Sequence, residues 1–171
     1  ARAFVGIDAD APDGAILDVG CGTGLAGLAL QRLRPSIIDG LDISPEMLGE
    51  AAAKQHDGRP VYRDLVEADL TRPLAFADGT YAAVLSVGTF THGHVGPSAL
   101  HEVVRVVRPG GHLAIGINAA HFESAGFASV IDHLAVASRV RHVRFVEAPI
   151  YATSDAVDPD QVARILTCIV E

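Results

Sequence analysis

Apolar residues in this chain fall into short runs that alternate between two spacings. AILDV, from Ala15 to Val19, is apolar apart from Asp18 and has the length of a strand buried on both faces. After the glycines that follow, Leu25, Leu28, Ala29 and Leu33 recur at helical spacing and predict a helix with one apolar side. SIIDGLD predicts a second strand ending at Asp42. Beyond it, Ser44 reads as an N-cap, and Pro45 and Glu46 suit the first turn of a helix that carries Met47, Leu48 and Ala52 inward.

The alternation continues. A third strand is expected around YRDLVEA, ahead of Asp69, and the Asp78-Gly79 turn leads into a fourth, YAAVLSV. Pro97 opens a helix whose inward stripe is Leu100, Val103, Val104 and Val107, with Pro109, Gly110 and Gly111 as its stop. HLAIGIN predicts the fifth strand, and Phe127, Val130, Ile131, Leu134 and Ala135 another helical face. VRFVEAPIYA and ARILTCIVE predict two closing strands joined by the turn-rich SDAVDPD. Strands alternating with helices make βαβ units, so the fold class expected over residues 1–171 is one doubly wound α/β domain. In such sheets a ligand sits outside the carboxyl ends of the strands, at the switch point beside the first strand.

Composition narrows this picture. A chain of 171 residues buries roughly 70% of its unfolded surface. With 49% hydrophobic and only 5% aromatic residues, its core is aliphatic. The net charge of −8 counts against a duplex nucleic-acid partner, which needs a basic stripe. Lys54 is the single lysine and the arginines are scattered, so a small or neutral acceptor is favoured. The two cysteines, Cys21 and Cys168, lie in no metal-ligand spacing and suit a reduced protein. No run is long enough to span a bilayer and no signal pattern is present, so a cytoplasmic domain is expected. The chain starts at Ala1 and reaches a patterned strand by Ala15, which raises the expectation that an N-terminal segment is missing.

ILDVGCGTGLAG occupies the switch point. Its Gly20, Gly22 and Gly24 allow a tight strand-to-helix turn and close approach of a ligand to the backbone. Gly22, Gly24 and Gly27 also satisfy GxGxxG, so a nicotinamide dinucleotide has to be weighed. Against it, Asp18 would repel a pyrophosphate but suits an ammonium group, and the loop holds no Arg or Lys. S-adenosylmethionine, with a cationic amino-acid portion and no phosphate, fits better. Asp42 stands where a carboxylate accepts from both ribose hydroxyls, and Asp69 where one accepts from the adenine amino group. Ile43 and Met47 are placed to pack on the ring.

ILDVGCGTG, DISPEML, EADL and RPGGHLAI together resemble a class I S-adenosylmethionine-dependent methyltransferase, over almost the whole chain from Ala15 onward. The stretch from PLAFADGTY to VVRPGG is more narrowly similar to the methyltransferase-like proteins named after the Williams–Beuren region. The resemblance implies a seven-stranded, mostly parallel Rossmann-like sheet of order 3-2-1-4-5-7-6 with strand 7 antiparallel. It implies a cofactor pocket lined by Asp18, Gly20, Cys21, Gly22, Asp42, Asp69, Leu70, Ser86 and Val87, alongside Ile43 and Met47. The chain departs from the family at Ala82, where an Asp is usual, and in having only ARAFVGIDADAPDG where a lid segment is usual.

SVGTFTHGHVG, after the fourth strand, would then face the transferable methyl group. His92 and His94 are the candidate bases, in that order, with Thr91 or Thr89 as an orienting hydroxyl. The plainer alternative is that either histidine caps the next helix or bonds the backbone. A metal reading of HGH, with His121, lacks a carboxylate at ligand spacing, so no metal is expected. Asn118 could reach the acceptor or simply end its strand. His101 and His133 are expected on the surface. The reading is methyl transfer to a small-molecule acceptor. Its rivals are a non-catalytic cofactor-binding module working through a partner and, third, a nicotinamide oxidoreductase, which would lack a Tyr-x-x-x-Lys pair because Glu50 stands four before Lys54.

Overall fold

β1 (Ala15–Val19) lies at the centre of a seven-stranded sheet, between β2 (Ile37–Asp42) and β6 (Tyr81–Phe90), both parallel to it. The structure is a computed structural model that describes residues 13–91, 95–150 and 162–171. β5 (Asp64–Glu67) extends the parallel sheet beyond β2, and β7 (Val107–Asn118) extends it beyond β6. β9 (Val162–Val170) then runs antiparallel between β7 and the edge strand β8 (Val140–Pro149). The order β5-β2-β1-β6-β7-β9-β8 is the expected 3-2-1-4-5-7-6, with the seventh sheet strand antiparallel. A small hairpin, β3 (Gln55–His56) and β4 (Arg59–Pro60), stands apart from this sheet.

Alternation along the strands decides which helix covers which face. Ile16, with Ala83 and Leu85, packs against Ala26 and Leu30 of α1 (Leu25–Leu33). Ile38 packs with Cys21, Tyr62, Leu28 and, from α2 (Pro45–Ala52), Leu48 and Ala51. The neighbours pointing the other way, Leu17, Val19, Leu41 and Val84, join the main core. That core is closed by α3 (Ala99–Val106), α4 (Ala119–Ala125) and α5 (Phe127–Val136). No helix among the described residues is long and apolar enough to cross a membrane.

Four local expectations are corrected. α1 approaches the sheet through Ala26, Gly27 and Leu30, and this turns Leu25 and Leu33 outward, 66% and 49% exposed. In α2 it is Ala51 that is buried, while Met47 and Ala52 face outward. β6 does not stop at Val87. It bulges, with Ser86 opposite Ile115 and Phe90 opposite Ile117, so three residues, Val87 to Thr89, stand against one. α3 ends at Val106, and Pro109 to Gly111 belong to an interruption inside β7, between the Tyr81–Val107 and Ala83–His112 pairings.

Ala82, where the family usually has Asp, is buried and packs against two glycines. A Cβ at Gly14 would lie 2.9 Å from the Ala82 Cβ, and one at Gly111 would lie 2.7 Å from the Ala82 carbonyl oxygen.

Candidate cofactor site

The end of β1 is clasped from β6 before the glycine loop begins. Ser86, fully buried, donates its hydroxyl to the Val19 carbonyl at 2.8 Å, and Thr89 donates to the same oxygen at 3.0 Å. Thr89 reaches it because the bulge folds the strand back over Gly20, whose φ is 65°. A Cβ on Gly20 would overlap the Thr89 hydroxyl, so this position needs glycine twice over, for its backbone angle and for the space. Ser86 and Thr89 thus fix the loop. Val87, between them in sequence, is 46% exposed.

Within the loop, the Gly22 N–H donates to Asp42 Oδ2 at 2.8 Å, and Asp42 Oδ1 accepts from the Ser44 N–H at 3.0 Å. Each carboxylate oxygen keeps a second acceptor site for a hydroxyl. A Cβ on Gly22 would meet nothing within 4 Å, so the loop opens here on free space. Ile43, Met47 and Leu25, exposed by 65%, 42% and 66%, supply apolar surface at the ends of β2, α2 and α1. Cys21 is buried, its N–H bonded to the Leu41 carbonyl at 2.9 Å. Burial, with the charges of Asp18 and Asp42, pushes its thiol up to about 12, so it packs as a neutral group.

Asp69 accepts from both the Thr71 N–H, at 2.8 Å, and the Thr71 hydroxyl, at 2.6 Å. These bonds hold its carboxyl below the usual range and make an Asx turn after β5. Leu70 next to it is buried in the main core.

Asp18 has no solvent exposure. Its Oδ2 accepts from the Tyr62 hydroxyl at 2.7 Å, and its Oδ1 has no hydrogen-bond partner among the described residues. Burial pushes its pKa up to about 6; the Tyr62 hydroxyl and the Gly27 N–H pull against that shift, and Asp42 adds to it. Sequence reasoning did not find Tyr62. The signal was present in the glycines around it, because the Gly27 that completed GxGxxG stands where a Cβ would overlap the Tyr62 oxygen.

His92 and His94 lie outside the described residues. On one side of them is Thr91, which follows β6, and on the other Val95, whose carbonyl accepts from His121 Nε2 at 3.1 Å. Asn118 ends β7 and caps α4, its Oδ1 accepting from the His121 N–H at 2.9 Å. No group of three or more His, Cys, Asp or Glu residues suited to a metal occurs among the described residues. His101 and His133 are exposed.

These features fit S-adenosylmethionine better than a dinucleotide. An orphaned buried carboxylate oxygen asks for a donor or a cation, a fixed carboxylate at the end of β2 suits a diol, and exposed apolar side chains flank an open loop. A pyrophosphate would add negative charge beside Asp18 and Asp42.

Comparison with known proteins agrees. The family model described as "Methyltransferase domain" matches residues 17–115. Human "Methyltransferase-like protein 27" is 39% identical over 97 residues, covering 56% of this chain and 37% of that protein. An "18S rRNA (guanine(1575)-N(7))-methyltransferase" of Saccharomyces cerevisiae is 36% identical over 72 residues, or 42% of this chain and 24% of that protein. The chain therefore spans well under half the length of these relatives. Among solved structures, a TehB-like SAM-dependent methyltransferase from Corynebacterium glutamicum shares the fold, with a TM-score of 0.64 at 20% identity over 96% of this chain and 85% of that one.

Proposed function

Since this chain belongs to the methyltransferase domain family, with S-adenosylmethionine as its cofactor, we propose that it transfers a methyl group to a small-molecule acceptor. The observation that carries the reading is the set of strand-end carboxylates around the glycine loop: Asp18 on β1, Asp42 on β2 and Asp69 after β5, on three adjacent strands of the sheet. S-adenosylmethionine supplies the activated methyl on its sulfonium. Asp42 orients the ribose, Asp18 receives the cationic amino-acid end, and Asp69, with Arg72 beside its Oδ2, stands at the adenine end.

Transfer forms the acceptor–methyl bond as the sulfur–methyl bond breaks, and the acceptor's proton passes to a base. His92, then His94, are assigned that role from their chain position between the end of β6 and Val95. Positioning does most of the work in such a displacement. A net charge of −8 supports a small acceptor over a polyanion.

The test is calorimetric titration of the chain with S-adenosylmethionine, with NAD as control. Asp42→Ala should weaken binding by at least about tenfold, or 1.4 kcal/mol, and NAD should not bind. Tight NAD binding, or cofactor affinity unaffected by Asp42→Ala, overturns the reading.

A further inference from the structure

Tyr62 occupies a socket made of glycines. Its phenol fills the place of a side chain at Gly27, where a Cβ would overlap the hydroxyl; a Cβ on Gly24 would come 3.0 Å from Cε2, and one on Gly40, blocked first by Leu65 and Cys21, would come 3.1 Å from Cδ1. Gly27 lies within α1, so the helix forgoes a side chain to admit the phenol, and Gly24 before the helix and Gly40 in β2 border the ring. Gly27 stands in the first turn of α1, where glycine is a weaker helix former than alanine. What the socket achieves is delivery of a hydroxyl to the fully buried Asp18, 44 positions away, at 2.7 Å.

Resting on the cofactor reading above, we propose that Tyr62 is a positioning residue for S-adenosylmethionine: its hydroxyl holds Asp18 Oδ2, so that Oδ1 alone is left to receive the cofactor's ammonium group or the water that carries its hydrogen bond. Burial pushes the Tyr62 phenol far above its ordinary value, and so does the Asp18 charge, so the group donates throughout the physiological range.

A consequence is proton-linked cofactor capture. Asp18 must be ionised to receive a cation, and its pKa stands near 6. The groups that face it are the Tyr62 phenol from the segment between β4 and β5, the Cys21 thiol from the loop after β1, Asp42 from the end of β2, and the Gly27 N–H from α1. From β6 it faces Leu85, which carries no charge. As pH falls through 6, a proton competes with the ammonium group, and affinity should drop about tenfold between pH 7 and pH 5. The Tyr62 bond opposes protonation, so its loss should move the midpoint upward.

The experiment is calorimetric titration with S-adenosylmethionine from pH 5 to pH 7 on four forms of the chain. They are wild type, Tyr62→Phe, Asp18→Asn, and a form with 3-fluorotyrosine at position 62, a stronger donor of nearly the same shape. Tyr62→Phe should bind about tenfold more weakly at pH 7, with its midpoint shifted up. The fluorinated form should shift it down, and Asp18→Asn should give weak, pH-independent binding. A folded Tyr62→Phe variant with wild-type affinity and midpoint overturns the inference and leaves the cofactor reading standing. Should that variant not fold, an unmoved midpoint in the fluorinated form does the same, as does a step that persists in Asp18→Asn. Wild type that binds no cofactor at any pH overturns the cofactor reading and this inference with it.

Discussion

Asp18 shows how a single residue can be held against its own stability. Its pKa of about 6 in the fold compares with an ordinary 3.8, because burial disfavours the charged form. The native state therefore binds the proton more tightly than the unfolded chain. The favourable contribution is full below pH 3.8 and is lost as pH rises through 6. At pH 7.5 the ionised carboxylate costs about 3 kcal/mol. Asp18→Asn removes that cost and adds back about 1–2 kcal/mol for an amide N–H without a partner. The expected outcome is a variant about 1–2 kcal/mol more stable than wild type at pH 7.5 in urea denaturation, with the advantage gone by pH 4. A loss of stability at pH 7.5 would mean that the carboxylate is satisfied in solution by something other than the cofactor. A gain accompanied by weaker cofactor binding is the signature of a residue kept for function.

Between elements, Arg105 does the work of a missing helix. The segment from Asp69 to Thr80 connects β5 to β6 without a helix of its own. Arg105 of α3 ties it down, donating to the Leu74 carbonyl at 3.0 Å, the Phe76 carbonyl at 2.8 Å and Asp78 at 2.7 Å. Glu102 orients the guanidinium with contacts of 2.9 and 2.7 Å and accepts from the Leu74 N–H at 2.8 Å. A forked, planar donor set is what this geometry uses, and lysine does not have one. Arg105→Ala should cost about 2–3 kcal/mol in urea denaturation, and Arg105→Lys should recover less than half of that. Full recovery by Lys would show that charge alone, and not the fork, holds the segment.

Element contacts also mark the limit of what the sequence revealed. Strand runs such as AILDV and HLAIGIN were legible because burial on both faces leaves a continuous apolar signature. The glycine loop and Asp42 were legible because a strand-to-helix turn and a strand-end carboxylate are local patterns. The β6 bulge was not, since Gly88-Thr89-Phe90 read as the start of a loop when nothing local says that Phe90 pairs with Ile117. Tyr62 was hidden for the same reason: its meaning depends on Asp18 and three glycines that meet only in the folded sheet. Leu25 and Met47, placed in apolar stripes by spacing, face outward because the helices meet the sheet through small residues beside them.

At the scale of the whole molecule, the distribution of arginines bears on the acceptor. A yeast relative is named for methylating rRNA, so the question is whether this chain carries a surface for a phosphate backbone. Arg63 is paired with Asp39 at 2.5 Å and Asp64 at 3.2 Å, and Arg164 with Glu123 at 2.7 Å and Glu147 at 3.3 Å. Arg72 lies 3.5 Å from Asp69, and Arg105 and Arg141 are held by Glu102, Asp78 and Glu171. These five arginines, engaged with carboxylates of the same chain, add little positive potential, and the chain as a whole carries −8. Duplex binding draws its affinity from released counterions, one for each phosphate neutralised. Fluorescence anisotropy with a labelled RNA duplex of about 20 base pairs should therefore show no binding by this chain at tens of micromolar protein and 0.15 M salt. It should show no steep gain at 0.05 M. A micromolar dissociation constant that tightens a thousandfold on that dilution would require several phosphate contacts, and would turn the acceptor assignment from a small molecule to RNA.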